Sequence, residues 1–124
     1  MGRSFEDLIA WQRARTLAGE IHRLVQTGPL ARDFGLRDQI NRAAVSVGLN
    51  LAEGFERGGR REFRHFISIA KGSCGEVRAG LYLALDRGHL TEPDFKRLID
   101  LTGELGRILG ALRAALSRQK DVRG

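Results

Sequence analysis

The 124-residue sequence has few of the residues on which disulfide-rich and β-sheet folds depend. Its single cysteine, Cys74, excludes an internal disulfide and a cysteine-ligated zinc site. Its only prolines are Pro29 and Pro93, and aromatic residues make up 6% of the chain. Because β-branched residues are also sparse while Leu, Ala, Arg and Glu are plentiful, the composition favours helices.

Long apolar runs are absent as well. No run approaches the ~20 residues that span a bilayer. The N-terminus lacks a basic segment followed by an apolar one, which a secretory leader would show. We therefore expect a soluble, cytoplasmic protein that makes no membrane association. The length is sufficient for one core, so we interpret residues 1–124 as a single domain.

Basic residues outnumber acidic ones by 21 to 15, which gives a net charge of +6. Eighteen of the basic residues are arginine. One interpretation is a GC-rich genome that encodes Arg in place of Lys. The other is an electrostatic surface for nucleic acid or another acidic partner. The composition does not separate these two interpretations, so the positions of the charges matter more.

The spacing of apolar residues predicts four helices. The first begins at Ser4 and ends at the Thr27-Gly28-Pro29 turn. The second begins at Asp33 or Leu36 and ends near Ala52, with Gly54 in a left-handed stop conformation.

After a turn at Gly58-Gly59, the third helix spans about Arg60 to Arg87, and Gly88 closes it. The fourth begins with Thr91 as its N-cap and ends in a charged tail, about residues 118–124, that we expect to be frayed. Because short connections join long helices, the predicted architecture is an all-α, up-and-down antiparallel four-helix bundle.

The second predicted helix is the most informative segment because it has two apolar stripes. Ile40, Ala44, Val47 and Leu51 follow helical spacing and form the first. A second stripe lies on roughly the opposite side and consists of Val45, Leu49 and Ala52. A helix that is apolar on two sides is usually buried on two sides. We therefore predict that the second stripe contacts another subunit.

Glycines aligned within the third and fourth predicted helices are a second indication of close contacts. Each interior glycine costs ~0.5–1 kcal/mol relative to alanine. Chance in a glycine-rich chain is one explanation. We prefer close helix contact, within the bundle or between subunits, and we assign these glycines to the subunit contacts. These residues are Gly72, Gly75, Gly103, Gly106 and Gly110.

Polar residues run between the two stripes of the second helix, and the third helix offers partners for them. The set is Ser46, Asn50, Glu53, Ser73 and Glu76. We favour a satisfied hydrogen-bond network that fixes the register of the helices over a ligand site.

Basic residues cluster where the third helix begins. Positive charge at a helix N-terminus is mildly unfavourable because of the helix dipole. The cluster therefore favours a functional role over a helix end that is merely exposed to solvent. Arginine is suited to bidentate phosphate contacts. With a few neighbours, the predicted nucleic-acid surface comprises Arg42, Arg57, Arg60, Arg61, Arg64, Lys71 and Arg78. Binding through phosphates would be salt-sensitive and largely blind to sequence.

Residues for catalysis or metal binding are few and scattered. His22, His65 and His89 lie on separate elements, and Cys74 falls on a core seam as a small buried hydrophobe. Glu62 and His65 form one Glu-x-x-His step, whereas di-iron bundles use two such steps with two further glutamates. We expect no catalytic residue, no cofactor and no metal.

Three segments of the chain together form a pattern typical of one protein family: Phe5-Glu-Asp-Leu-Ile-Ala-Trp-Gln, the stretch from Gln39 to Arg57, where the match is strongest, and the stretch from Glu62 to Glu76. Through these segments the chain resembles the four-helix-bundle proteins encoded in 23S ribosomal RNA intervening sequences. Two positions depart from the family pattern. Gly48 replaces a usual proline, and Lys71 replaces a usual arginine, which retains the charge but loses the fork geometry.

This resemblance implies a bundle that assembles as a ring, typically a homopentamer. Relatives include the accessory protein of diversity-generating retroelements, which resembles a basic barrel that engages a reverse transcriptase and nucleic acid. We therefore expect a non-enzymatic, homo-oligomeric scaffold or accessory protein that associates with RNA or DNA. The alternative is a protein-interaction module, for a reverse transcriptase or a ribosome-linked partner, without direct nucleic-acid binding.

Overall fold

A computed structural model describes the backbone of residues 4–123 and the side chains of residues 4–118. A short 3₁₀ turn, Phe5–Asp7, precedes the first α-helix. The α-helices are α1 (Ile9–Leu24), α2 (Gly28–Arg32), α3 (Phe34–Glu56), α4 (Arg60–Asp86) and α5 (Glu92–Arg123). No strand occurs between residues 4 and 123.

The four long helices close around one core. Helix α3 packs against α1 and α4, and α5 packs against α4 and α1, so each long helix has two neighbours. This arrangement confirms the predicted all-α, antiparallel four-helix bundle. The largest fully buried side chains come from all four long helices and include Leu17, Ile21, Ile40, Leu51, Ile67, Leu81, Leu105 and Leu109.

The beginning of the chain differs from the prediction that a helix starts at Ser4. Ser4 precedes the 3₁₀ turn and makes no capping hydrogen bond through its side chain. Leu8 then adopts an extended conformation, with φ −72° and ψ 126°, and α1 begins at Ile9. The segment after Ser4 is therefore a single 3₁₀ turn, and the extended Leu8 separates it from α1.

The end of α3 also differs, because Gly54 does not stop the helix. Helix α3 continues to Glu56, and Gly54 is buried inside it. The left-handed glycine is instead Gly58, with φ +80°. A Cβ on Gly54 would lie 2.5 Å from the Cβ of Phe66 in α4. The glycine is thus needed for close contact between α3 and α4.

Other predicted boundaries are confirmed. Gly88 has φ +73° and closes α4 after Asp86. The Thr91 Oγ1 accepts a hydrogen bond from the backbone N–H of Asp94 at 3.2 Å, as expected of an N-cap. The short helix α2 was not predicted, because it lies within the stretch interpreted as a turn.

The predicted frayed tail, residues 118–124, lies largely outside the described side chains. The α5 backbone remains helical to Arg123. None of the helices in the described part of the chain is both long and apolar enough to cross a membrane.

Candidate functional site

A groove runs between α4 and α5 on the outside of the bundle. Lys71, Cys74, Gly75 and Arg78 line it from α4. Thr102, Gly103, Gly106, Arg107 and Gly110 line it from α5. The groove therefore carries three cationic side chains and no carboxylate.

Two of these cations converge on a single point. The Arg78 Nη1 lies 3.4 Å, and the Arg107 Nη1 3.5 Å, from the position that a Cβ on Gly103 would occupy. Arg78 is also anchored, because its Nη1 donates to the backbone oxygen of Ile99 at 3.3 Å and approaches the Thr102 Oγ1 at 3.5 Å. The groove thus holds two guanidinium groups close together without a counter-charge.

The glycines of the groove do not bring helix backbones together within the subunit. A Cβ on Gly75 or Gly106 would meet no atom within 4 Å, and the same holds for Gly72, which lies outside the groove on α4. A Cβ on Gly110 would make an ordinary contact with the Lys71 Cε at 3.6 Å. Of the two kinds of close contact considered for these glycines, contact within the subunit is not found at Gly72, Gly75, Gly106 or Gly110, and contact between subunits stays a prediction.

The structure does not place the seven predicted nucleic-acid residues on one surface. Arg60, Arg64, Lys71 and Arg78 recur at steps of four and seven residues, so they share one face of α4. Lys71 and Arg78 lie on the α5 side of that helix, because they line the groove.

The remaining three lie elsewhere. Arg61 is exposed on α4, outside that face, and Arg42 is exposed one helix away on α3. Arg57 is neutralised: its guanidinium pairs with Glu53 at 2.8 Å and Glu62 at 3.6 Å, and it lies over the Phe66 ring. Its charge is therefore largely compensated within the subunit.

The second apolar stripe of α3 is uncovered in a single subunit. Leu49 is 65% exposed and Val45 is 42% exposed, while Ala52 is half-buried. The first stripe is buried in the core. Helix α3 therefore presents an apolar outer surface as well as a core face.

The polar row between the stripes forms a hydrogen-bonded cluster at the α3–α4 contact. The hydroxyls of Ser46 and Ser73 lie 2.9 Å apart. The Asn50 Nδ2 donates to the Ser46 backbone oxygen at 2.8 Å and to its Oγ at 2.9 Å. The two predicted carboxylates lie outside this cluster, because Glu53 pairs with Arg57 and Glu76 accepts from Gln39.

A family model for the 23S rRNA-intervening sequence protein matches residues 6–111. The chain belongs to this family. The crystal structure of a protein with unknown function from the S23 ribosomal protein family of Bacteroides thetaiotaomicron has a similar fold, with a TM-score of 0.77 at 18% identity. The match covers 85% of this chain and 98% of that one. No functionally curated protein matches the chain.

In this member of the family, the lone cysteine is a packed side chain. Cys74 is buried, and its Sγ donates to the backbone oxygen of Thr102 at 3.4 Å. Burial raises the pKa of the thiol, and the nearby Lys71 and Arg78 offset that rise only in part. The thiol is therefore protonated at neutral pH and is a poor nucleophile.

The Glu-x-x-His step on α4 has other contacts. Glu62 pairs with Arg57, and the His65 ring packs edge-on against Phe66. Within the described residues, no group of three or more His, Cys, Asp or Glu side chains is arranged to hold a metal ion.

Arg107 is the one cation of the groove that was not predicted. Its position carried a signal, since it follows Gly103 by four residues and precedes Gly110 by three, which places it beside the glycine face of α5. The sequence alone does not make this signal informative, because its meaning depends on α4 and α5 facing each other across the groove.

Proposed function

We propose that this protein is a non-enzymatic, homo-oligomeric scaffold that binds nucleic acid through the cationic face of α4. The observation that carries the proposal is the lack of counter-charges on this face. Arg60, Arg64 and Lys71 form no ion pair with any described carboxylate. A row of unpaired cations along one helix raises the local potential and attracts a polyanion.

The outer surface of α3 supports self-association. Exposed apolar residues that follow one helix face are a liability for a small soluble domain unless a partner covers them. Leu49 and Val45 form such a surface on α3, one helix away from the cationic face. A ring, for which the family resemblance implies five copies, would cover this stripe and repeat the cationic face around its circumference.

Binding of RNA should depend strongly on salt. If each protomer makes four phosphate contacts with a single strand, the affinity should fall about 50-fold between ~50 and ~200 mM salt. Fluorescence polarisation with a labelled single-stranded RNA at several salt concentrations measures this slope. The double variant Arg60→Gln, Arg64→Gln should bind more weakly and with a shallower slope.

Arg32→Gln is the matched control, because Arg32 is exposed on α2, far along the chain from the cationic face. It should leave the slope almost unchanged. An affinity that is independent of salt, or no binding at the lowest salt concentration, would contradict the nucleic-acid proposal. In the second case, the exposed α3 stripe would favour the alternative of a protein-interaction module that contacts a reverse transcriptase or a ribosome-linked protein.

Leu49→Asp should dissociate the assembly into monomers, because a carboxylate would then lie in the apolar contact. The side chain is mostly exposed in the subunit, so the helical circular dichroism should not change. Light scattering after size exclusion gives the mass. Leu83→Asp is the matched control, since Leu83 is 48% exposed on α4, outside the α3 stripe. A wild-type monomer, or an unchanged mass for Leu49→Asp, would overturn the assembly proposal.

A further inference from the structure

We propose that the α4–α5 groove is a specific binding site for a phosphate group, held by Lys71, Arg78 and Arg107. This inference deepens the proposed function, because it locates one phosphate contact of the nucleic acid. It also gives the glycines of the groove a different role. They leave room for a ligand, whereas their spacing in the sequence predicted a subunit contact.

The first argument is the uncompensated charge. The Nη1 atoms of Arg78 and Arg107 both lie within 3.5 Å of the position that a Cβ on Gly103 would occupy, so their like charges repel. The carboxylates on α5 that could neutralise them have other partners. Glu104 accepts from Arg13 at 2.6 Å, and Asp100 accepts from Lys96 at 3.0 Å. An anion between the two guanidinium groups would convert this repulsion into attraction.

The second argument is the anchoring of Arg78. A guanidinium group carries five N–H donors, and in Arg78 one nitrogen is held by the Ile99 carbonyl and the Thr102 hydroxyl. The Nη2 and Nε donors take no part in these two bonds, so they stay available to an anion on a side chain whose freedom is already restricted. A fixed donor loses less conformational entropy when it binds, so the site is partly preorganised for a tetrahedral oxyanion.

The third argument is the open space over the glycines. Because a Cβ on Gly75 or Gly106 would meet nothing within 4 Å, the floor of the groove is free for the ligand. Gly80, also on α4, is different: its Cβ would lie 2.5 Å from the Ile40 Cγ1, so this glycine serves helix packing. Unlike Gly80, the groove residues Gly75 and Gly106 leave room that the packing of the bundle does not use.

A phosphate group fits this groove better than a helix of a second copy does. Burying three cations against a protein surface is unfavourable unless matching carboxylates cover them. The exposed apolar stripe that we propose for self-association, Val45 and Leu49, lies on α3 and not in the groove. A phosphodiester brings negative charge and remains partly solvated, so it satisfies the cations without burying them fully.

The test measures binding of inorganic pyrophosphate by calorimetry and binding of a short single-stranded RNA by polarisation. The double variant Arg78→Gln, Arg107→Gln should weaken both by about tenfold or more. Gly106→Leu should have a similar effect by filling the groove, although all charges are retained. Gly35→Leu is its control, because a Cβ on Gly35 in α3 also meets nothing within 4 Å.

The outcomes separate this proposal from the proposed function. If groove variants leave RNA affinity unchanged while Arg60→Gln, Arg64→Gln weakens it, the groove proposal is overturned and the nucleic-acid proposal stands. If pyrophosphate binds and Gly106→Leu abolishes it, while RNA does not bind, the groove is a site for free phosphate compounds. If neither probe binds, or if Gly106→Leu instead changes the mass of the assembly, the groove is not a phosphate site.

Discussion

Replacing Gly54 with alanine is expected to lower the free energy of unfolding by about 1–3 kcal/mol, although alanine normally stabilises a helix interior by ~0.5–1 kcal/mol. The new Cβ would lie 2.5 Å from the Cβ of Phe66 and 3.2 Å from the Cδ1 of Phe63. A Cβ is fixed to its backbone, so no rotamer change of Phe66 relieves the clash. Helices α3 and α4 must move apart, which also weakens their contact along the bundle.

Urea unfolding followed by circular dichroism measures this loss at one fixed protein concentration. The melting temperature should fall by about 4 °C for each kcal/mol in a chain of this size. Gly35→Ala is the control, because its Cβ would meet no neighbour, and it should raise the stability slightly. Equal or greater stability for Gly54→Ala would show that the two helices are not packed as closely as described.

The helices were predictable because their signals are local. Apolar spacing sets which face is buried, and the cap at Thr91 and the glycine after α4 act within one turn of the chain. The prediction for Gly54 was wrong because a glycine near a helix end can have two roles. It can adopt the left-handed conformation that ends the helix, or it can allow close contact with a neighbouring helix. The choice depends on Phe66, which lies on another helix.

The candidate site was less predictable for the same reason. Spacing identified the glycine faces of α4 and α5 separately, but their meeting in one groove depends on how the two helices pack. The convergence of Arg78 and Arg107 above Gly103 follows from that packing. By contrast, the neutralisation of Arg57 could have been anticipated, because Glu53 precedes it by four residues, about one helical turn.

The second contact between α3 and α4, at Gly80 and Ile40, is expected to show strong coupling between two substitutions. Gly80→Ala places its Cβ 2.5 Å from the Ile40 Cγ1 and should cost about 1–3 kcal/mol. Ile40→Ala empties a fully buried site and should cost ~2–5 kcal/mol. The double variant removes the clashing atoms and fills part of the cavity. It should therefore lose less than the sum of the two, by about 0.5–3 kcal/mol.

A cycle of four urea-unfolding measurements gives this coupling energy. The control cycle combines Gly80→Ala with Ile67→Ala, a fully buried residue roughly 20 Å earlier along α4. Those two changes share no contact and should be additive. Additivity in the Ile40 cycle would show that the steric contact does not set the spacing of the helices. Coupling in the Ile40 cycle would also distinguish Gly80 from Gly54. A Cβ on Gly54 clashes with the Cβ of Phe66, and alanine retains that atom, so Phe66→Ala would not relieve the clash.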